Sequence, residues 1–414
     1  MRLTLKVKRS VTGVLATRYQ KASKKEKRFM LDEFTQLTGY NRSYASHLLS
    51  SHGKHLSLHK ARLVANVSKR TPHGRQKLYD HNVKSALKMI WVIMDCICGK
   101  RLAPILKEVI TRLEFHQEFS VDDRTRELLL KISPSTIDRL LAEDRKRLNG
   151  LAKARTKPGT LLKSQIPIKT FSDWNEHRPG FVEIDLVSHE GGMNSGEFIQ
   201  SLDVVDVCTG WTEVQAVRNK AQVWVFEALK DIRARLPFEL LGIDSDNGGE
   251  FINNQLLRYC QQQKITFTRS RASRKNDNCY VEQKNYSVVR RAVGYLRYDS
   301  EQELKLMNEL YSKLRLYTNY FQPVMKLIEK QRVGSKVKKK YDRARTPYER
   351  VMESSEVSQE KKKRLREEYE EVNPAQLKRE ITRLQNELIK ISSKKDRSKE
   401  ERRDVRVKAA GVKK

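Results

Sequence analysis

The sequence predicts a multidomain α/β protein in which a central α/β domain lies between basic, mainly helical regions. At 414 residues the chain is long enough for two to four domains. Strand-like and helix-like patterns alternate between residues 181 and 296, and helical spacing dominates elsewhere. The chain has 84 Lys and Arg against 51 Asp and Glu, whereas residues 181–300 hold 15 basic and 16 acidic side chains. The net charge of +33 therefore lies outside the central domain.

The central domain is predicted to run strand, strand, strand, helix, strand, helix, strand, helix. Residues 181–187 alternate bulky apolar and polar side chains, which is typical of a strand. The later elements are predicted, in order, at 199–207, 211–217, 222–236, 240–243, 250–263, 265–268 and 279–296. Thr209 and Gly210 predict a hairpin turn. The inward positions predicted for the first of these helices are Val223, Phe226, Leu229, Ile232 and Leu236.

Three carboxylates stand where these elements could bring them together. Asp185 lies within the first strand, Asp246 follows the fourth, and Glu282 lies on the last helix, with 35 residues between it and Asp246. A carboxylate in an apolar strand is costly to bury unless it is paired or bound to a metal. Since hard divalent cations prefer carboxylate oxygens, the trio is predicted to be catalytic, and ordinary strand-end residues are the alternative. Asp203 and Asp206 are expected to have no direct role.

The motifs around these acids carry a family resemblance. The second acid lies in SDNGGEF (245–251) and the third in NCYVEQKN (278–285). Residues 175–300 resemble the catalytic core of retroviral integrases and of related bacterial insertion-sequence transposases of the DDE type. The resemblance implies a ribonuclease-H-like fold, a mixed five-stranded sheet with flanking helices, in which Asp185, Asp246 and Glu282 bind the catalytic metals. It implies Mg²⁺ as the cofactor, with Mn²⁺ as a substitute.

The activity implied is cleavage of the ends of a mobile element and joining of their 3′-hydroxyls to target DNA. Relatives often carry a basic residue seven positions after the glutamate, where this chain has Val289. Cations nearby along the chain are candidate DNA contacts, and they are Arg274, Lys275, Arg290 and Arg291. His189, just after the first strand, is expected to be a surface residue.

Residues 1–78 are predicted to form a helix-turn-helix DNA-binding region. Residues 23–37 have helical spacing, with Phe29, Leu31, Phe34 and Leu37 on the predicted apolar side, and Gly39 provides a turn. A second helix is predicted at 41–49 with Asn41 as its N-cap, and such a helix enters the major groove. Its candidate DNA contacts are Arg42, Ser43, Tyr44 and His47. An ordinary helical hairpin is the alternative.

Residues 79–150 are predicted to form a second helical DNA-binding region. Helices are predicted at 80–98, with Val92 among its core positions, at 101–113, at 122–131 and at 135–148. Ser135 is predicted to cap the last helix, and its candidate DNA contacts are Ser135, Thr136 and Arg139. Residues 151–174 follow as a basic linker that is rich in Lys, Gly, Thr and Pro.

The C-terminal part is predicted as a basic region, 301–352, and a basic helical or coiled-coil tail, 353–414. The first begins with a helix at 301–320. In the second, apolar residues follow steps of four and three, which predicts either a dimer zipper or a helix packed on the core. Self-association is the favoured interpretation. These apolar residues are Leu377, Ile381, Leu384, Leu388 and Ile391.

The expected partner is double-stranded DNA, both terminal inverted repeats and target. Joining two ends in register requires a homo-oligomer on the DNA. The sequence has no run of about eighteen apolar residues, so no membrane partner is expected, and the predicted location is the bacterial cytoplasm, at the nucleoid. A catalytically limited DNA-binding regulator and a ribonuclease-H-like nuclease without strand transfer stay open as alternatives. The intact acidic trio disfavours the first, and the long basic N-terminal region disfavours the second.

Overall fold

The structure, a computed structural model, describes residues 3–53, 55–58, 61–64, 78–148, 178–193, 195–246, 248–270, 278–333 and 336–411. The chain divides into two compact units, Met1–Leu78 and Tyr79–Lys414. The predicted linker at 151–174 and the candidate contacts Arg274 and Lys275 lie outside the described residues.

The described part of the first unit contains three helices, and two of them were predicted. They are α1 (Leu5–Lys21), α2 (Lys24–Thr38) and α3 (Arg42–Ser51). Ser23 and Glu26 form a capping box at the start of α2, and Gly39 ends that helix in the left-handed conformation, with φ 68°. Asn41 caps α3 as predicted, since its side chain accepts a hydrogen bond from the Ser43 N–H. A short antiparallel hairpin follows, β1 (His55–Leu58) and β2 (Ala61–Val64).

The prediction for the apolar side of α2 is correct for two residues and wrong for two. Leu31 and Phe34 are buried, but Phe29 is 73% exposed and Leu37 is 51% exposed. Leu31, Phe34 and Thr38 share one face at the helical period, and this face meets α1, which was not predicted, and α3. The core of the unit comprises Ala16, Tyr19, Leu31, Phe34, Ala45, Leu48 and Leu49.

The second unit begins with a helical layer that shares one hydrophobic core with the central sheet. This layer comprises α4 (His81–Ile93), α5 (Gly99–Leu102), a 3₁₀ turn (Ala103–Ile105), α6 (Leu106–Phe115), α7 (Asp123–Lys131), α8 (Pro134–Leu140) and α9 (Ala142–Leu148). Ser133, rather than the predicted Ser135, caps α8, because Pro134 takes the first helical position and needs no N–H partner there. The helix predicted at 135–148 is interrupted at Leu141, and Val92, predicted to be core, is 48% exposed.

A mixed five-stranded sheet lies at the centre of the second unit, as predicted for residues 175–300. Its strands are β3 (Phe181–Ser188), β4 (Gln200–Asp206), β5 (Thr212–Val217), β6 (Gly242–Ser245) and β7 (Thr266–Arg269). Their spatial order is β5-β4-β3-β6-β7. The first three strands pair antiparallel, whereas β6 runs parallel to both β3 and β7. β3 continues beyond the end of β6, whose last residue, Ser245, pairs with Ile184 in the middle of β3.

Helices flank this sheet. They are α10 (Gln222–Arg235), α11 (Asn254–Gln262), α12 (Cys279–Lys284), α13 (Arg291–Val293) and α14 (Glu301–Phe321). A π-helical segment, Asn285–Arg290, joins α12 to α13 within the predicted last helix, and π segments are frequent at functional sites. On α10, Leu229 and Ile232 are buried as predicted, but Val223 is 49% exposed.

The C-terminal part adds a hairpin and three helices to the second unit. These are β8 (Leu327–Val333), β9 (Lys336–Tyr341), α15 (Pro347–Glu353), α16 (Gln359–Glu371) and α17 (Pro374–Gly411). The favoured self-association role of the apolar seam on α17 is wrong, because the seam packs on this same chain, mainly on α14. Leu377, Ile381, Leu384 and Leu388 are all at most 5% exposed. Among the described residues, no helix has the length and apolar character needed to cross a bilayer.

Candidate active site

Asp185 lies in the middle of the sheet, near the end of β3. Its Oδ1 accepts a hydrogen bond from the Leu186 N–H (2.8 Å), and its Oδ2 accepts one from the Asn285 side-chain amide (2.6 Å). Burial, with repulsion from the nearby carboxylates of Asp246 and Glu282, raises the pKa of Asp185 to about 7, against the two hydrogen bonds, which lower it. Asp185 is thus a carboxylate held among other carboxylates.

Asp246 reaches the same edge of the sheet from β6. The parallel register pairs Ile184 with Ser245, so Asp185 and Asp246 each come one residue later on neighbouring strands. The Gly248 N–H donates to Asp246 Oδ1 at 2.8 Å. A Cβ at position 248 would lie 2.7 Å from the Glu250 carboxylate and 2.9 Å from Asp246 Oδ1, so a larger residue there would displace these two side chains. Burial, and then repulsion from Glu250, raise the pKa of Asp246.

Glu282 comes from the first turn of α12, and a buried carboxylate fixes that turn. Glu183, two residues before Asp185 on β3, accepts hydrogen bonds at Oε2 from the Tyr280 N–H (2.8 Å) and the Val281 N–H (2.9 Å). Glu183 is fully buried, and burial raises its pKa well above the ordinary value. The strand that carries Asp185 therefore also holds the start of the helix that carries Glu282. Glu282 itself is exposed.

The three predicted carboxylates are electrostatic neighbours, since Asp246 and Glu282 both act on the pKa of Asp185. Within the described ranges, no three His, Cys, Asp or Glu side chains stand close enough to hold one metal ion together. The donor set itself fits a hard cation, because it consists of carboxylate oxygens whose mutual repulsion a divalent ion would relieve. Asp185, within β3, and Asp246, directly after the neighbouring strand β6, are the two best placed to begin such a site.

A buried polar layer supports Asp246 from below. Asp244 is fully buried and accepts a hydrogen bond from the Thr268 hydroxyl at Oδ1. With the Asn278 amide oriented to satisfy both neighbours, its nitrogen donates to Asp244 Oδ2 (3.0 Å) and its oxygen accepts from the Asp246 N–H (3.2 Å). Sequence reasoning missed Glu183, Asn278 and Asn285. The alternating acids of VEID (182–185) were the available signal for Glu183.

Asp203 lies directly across the sheet from Asp185, in register on β4. It is fully buried, and neither of its carboxylate oxygens has a hydrogen-bond partner within the described part of the chain. Burial raises the pKa of Asp203 well above its ordinary value. The opposite shift affects Lys284 on α12, where burial and Arg101 lower the pKa to about 8 against the attraction of Asp203.

Two further predictions concern the rim of the sheet. His189 is not a surface residue: it is fully buried, shares a 2.7 Å hydrogen bond with the Ser201 hydroxyl and packs against the Tyr298 ring. Burial, and then Arg290, lower the pKa of His189 to about 3. Asp206 has a structural task, since it accepts hydrogen bonds from the Gly180 N–H (2.8 Å) and from Thr209.

The candidate DNA contacts differ in their solvent exposure and in their partners within the protein. On α3, the side chains of Ser43, Tyr44 and His47 are exposed, and Arg42 is exposed but pairs with Asp32. On α8, Ser135 and Arg139 are exposed. Thr136 is half-buried and bonds to the hydroxyl of Ser133 (2.9 Å) and to Arg139 (3.0 Å).

The two arginines after Glu282 are engaged within the protein. Arg290 donates to the Ser188 carbonyl (2.9 Å) and lies over the Tyr295 ring (4.7 Å to the centroid). Arg291 pairs with Asp95 at 2.6 Å. Val289, at the position where relatives often carry a cation, is fully buried.

Comparison with known proteins yields one relative that spans most of the chain. No family model matches the sequence. Among solved structures, the catalytic core domain of BIV integrase is 17% identical, with a TM-score of 0.28, over 41% of this chain and 91% of that one. The HTLV-2 integrase catalytic core domain in complex with magnesium is 15% identical, with a TM-score of 0.27, over 35% of this chain and 90% of that one. The uncharacterized protein y4rM of Sinorhizobium fredii is 36% identical over 342 residues, which cover 82% of this chain and 93% of the relative. The chain belongs to the family of this rhizobial protein.

Proposed function

We propose that this protein is a DNA transposase or integrase that cleaves the ends of a mobile element and joins them to target DNA. The observation that supports this most is the electrostatic coupling of Asp185, Asp246 and Glu282 at one edge of a mixed sheet. These acids lie in sequence motifs that resemble those of integrases. The finer assignment, as a DDE enzyme that recognises terminal inverted repeats, rests on those motifs.

The proposed cofactor is Mg²⁺, with Mn²⁺ as a substitute, held by Asp185, Asp246 and Glu282. When bound, such ions activate an attacking water or 3′-hydroxyl and stabilise the departing 3′-oxygen. Asp185 would serve both ions, and Asp246 and Glu282 one each. The exposed Glu282 side chain has to approach the other two to complete the site, while Glu183 and Asn278 keep the backbone of α12 and of the Asp246 loop in place.

DNA recognition is proposed for the first unit. Ser43, Tyr44 and His47 form an exposed row at the start of α3, and a helix after a glycine turn presents such side chains to base edges. The charge of the whole chain, +33, supplies affinity for phosphates independent of sequence. Two active sites acting on two DNA ends require a homo-oligomer on DNA.

The proposal is tested by incubating the protein with the terminal repeats of its own element and Mg²⁺. We expect Asp185→Asn to reduce cleavage and joining by at least about a thousandfold, because it removes a ligand of both ions, and to keep binding of the ends. Asp231→Asn is the matched control, since Asp231 is exposed on α10 and only accepts a hydrogen bond from Gln215 (3.0 Å). Cleaved ends without joined products would instead indicate a nuclease, and binding without cleavage in the unaltered protein would indicate a regulator.

A further inference from the structure

Beside the Asp246 loop, a polar cleft opens between α10 and α11. Its volume is about 740 Å³, and its walls include Gln222 and Phe226 from α10 and Gly249 from the loop. From α11 come the first-turn residues Asn254 and Gln255, followed by Arg258, Tyr259 and Gln262 along the same face. Gly249 is three residues beyond Asp246, so the loop that follows this acid forms part of the cleft wall. It is also far larger than a single water-filled gap.

Four polar side chains of the cleft have no hydrogen-bond partner among the described residues. Asn254, Gln255, Arg258 and Gln262 are exposed, and none of their side chains is hydrogen-bonded or ion-paired with another described residue. The other amide in the wall, Gln222, donates to the Gly249 carbonyl at 3.3 Å and so ties the helix to the loop. Four free polar side chains that converge on one concave surface mark a place for a polar ligand.

One wall of the cleft is aromatic and rigid. Phe226 and Tyr259 meet edge to face, with ring centroids 5.1 Å apart and an interplanar angle of 87°. Arg233 donates to the Tyr259 hydroxyl at 2.6 Å, which fixes the ring. Aromatic walls of this kind hold flat, unsaturated ligands such as nucleobases.

We propose that the cleft binds one unpaired nucleotide of the DNA substrate. Amide side chains offer a donor and an acceptor side by side, the pattern that pairs with the edge of an adenine. Arg258 provides a cation for the adjoining phosphate, and no acidic side chain is among the described residues that line the cleft. A base inside a duplex cannot present its pairing edge and face to such a cleft, so the ligand has to be unpaired. The inference rests on the proposed function, because it assumes that DNA passes the Asp246 loop.

The test compares a blunt DNA duplex with the same duplex that carries a two-adenine overhang, bound by the full chain in EDTA. Because the duplex part is common to both, the ratio of the two Kd values removes the binding that comes from the protein's overall charge. We expect the overhang to bind about tenfold tighter, and an abasic overhang to bind like the blunt duplex.

Variants on one exposed helix face separate the cleft from the surface around it. The double variant Gln255→Ala with Gln262→Ala is expected to lower the ratio of the blunt-duplex Kd to the overhang Kd to nearly one. The control Gln261→Ala, an exposed neighbour outside the cleft, is expected to leave this ratio unchanged. An overhang preference that is absent in the unaltered protein, that survives the double variant or that persists with the abasic overhang would overturn the proposal. Since no metal is present, such a result would leave the cleavage test of Asp185→Asn unaffected.

Discussion

Asp185 is a buried carboxylate whose ionisation depends on its immediate neighbours. Repulsion from Asp246 and Glu282 opposes its charge, while the Asn285 amide and the Leu186 N–H stabilise it. Metal binding requires the ionised form, so activity is expected to fall as the pH drops and Asp185 becomes protonated. The hydrogen bond from Asn285 sets how far into the acid range the site stays charged.

Removing that hydrogen bond is expected to move the activity profile. Asn285→Ala takes away a donor that lowers the pKa of Asp185, so the pKa rises and the acid limb of Mg²⁺-dependent cleavage shifts to higher pH. A charge-assisted hydrogen bond of about 1.5 kcal/mol predicts a shift of about one pH unit. The profile of cleavage rate against pH measures it. Gln283→Ala, an exposed neighbour on α12, is the control and should keep the original profile; an unshifted Asn285→Ala profile would contradict this role.

His189 predicts a pH-dependent stability. Its pKa is lowered from 6.5 to about 3, so between these pH values this histidine is protonated in the unfolded chain and neutral in the folded protein. The stabilisation is complete above pH 6.5 and is lost as the pH falls toward 3. Between pH 7.5 and pH 5, the free energy of unfolding measured in urea should therefore fall by about 2 kcal/mol less in His189→Gln than in the unaltered protein. This variant keeps a hydrogen-bond partner for Ser201. Equal losses would show that His189 does not titrate in this way.

Residue identity alone found the three acids but not their support. Asp185, Asp246 and Glu282 lie in sequence motifs, whereas Asn285 and Glu183 matter because the fold places them against Asp185 and α12. His189 was mistaken for a surface residue because its position after a strand does not reveal that Ser201 and the Tyr298 ring enclose it.

Among the elements, those with strong periodicity were predicted and those without it were missed. The five strands of the sheet were all predicted, since alternation or a short apolar run marked each one. Helix α1 was missed because its exposed side includes Leu5 and Val14, which blur its amphipathic pattern. The β8–β9 hairpin was missed because a Lys-rich segment offers few apolar residues to count.

Helix α17 shows why a heptad pattern does not by itself identify a partner. The same spacing serves a zipper or a helix packed on its own chain, and here α14 covers the seam. Polar contacts reinforce this arrangement, since Lys395 bonds to Asp299 and to the buried Glu303 (2.8 Å), and Gln385 donates to the Ala292 carbonyl (2.8 Å). The helix thus braces α13, which continues the helix of Glu282.

A pair of substitutions on α17 distinguishes these roles. Leu384 is fully buried, so Leu384→Ala is expected to lower the free energy of unfolding by about 2–5 kcal/mol. Ile389 is 48% exposed, and Ile389→Ala should change it by less than about 0.5 kcal/mol. Urea unfolding measures both, and sedimentation without DNA should be unchanged in either variant. Loss of a dimer in Leu384→Ala without loss of stability would restore the zipper interpretation.

At the scale of the whole molecule, charge and catalysis are separated. The net charge of +33 falls outside residues 181–300, which are nearly neutral by sequence, and the acids of the candidate site lie within that range. In the proposed function, the basic residues supply affinity for DNA and the acids bind the divalent cations. The sequence predicted this separation because formal charge needs no knowledge of the fold, whereas the hydrophobic core that residues 79–148 share with the sheet depends on contacts that only the structure shows.

The central claim is that Asp185, Asp246 and Glu282 hold divalent cations, and Mn²⁺ binding tests it without any DNA substrate. Titration of Mn²⁺ into the full chain, followed by electron paramagnetic resonance, should show saturable binding that Mg²⁺ displaces. Asp185→Asn should weaken that binding at least about tenfold, since it removes one anionic ligand, while Asp231→Asn should not. Equal Mn²⁺ binding by the unaltered protein and Asp185→Asn, or no binding by either, would contradict the account.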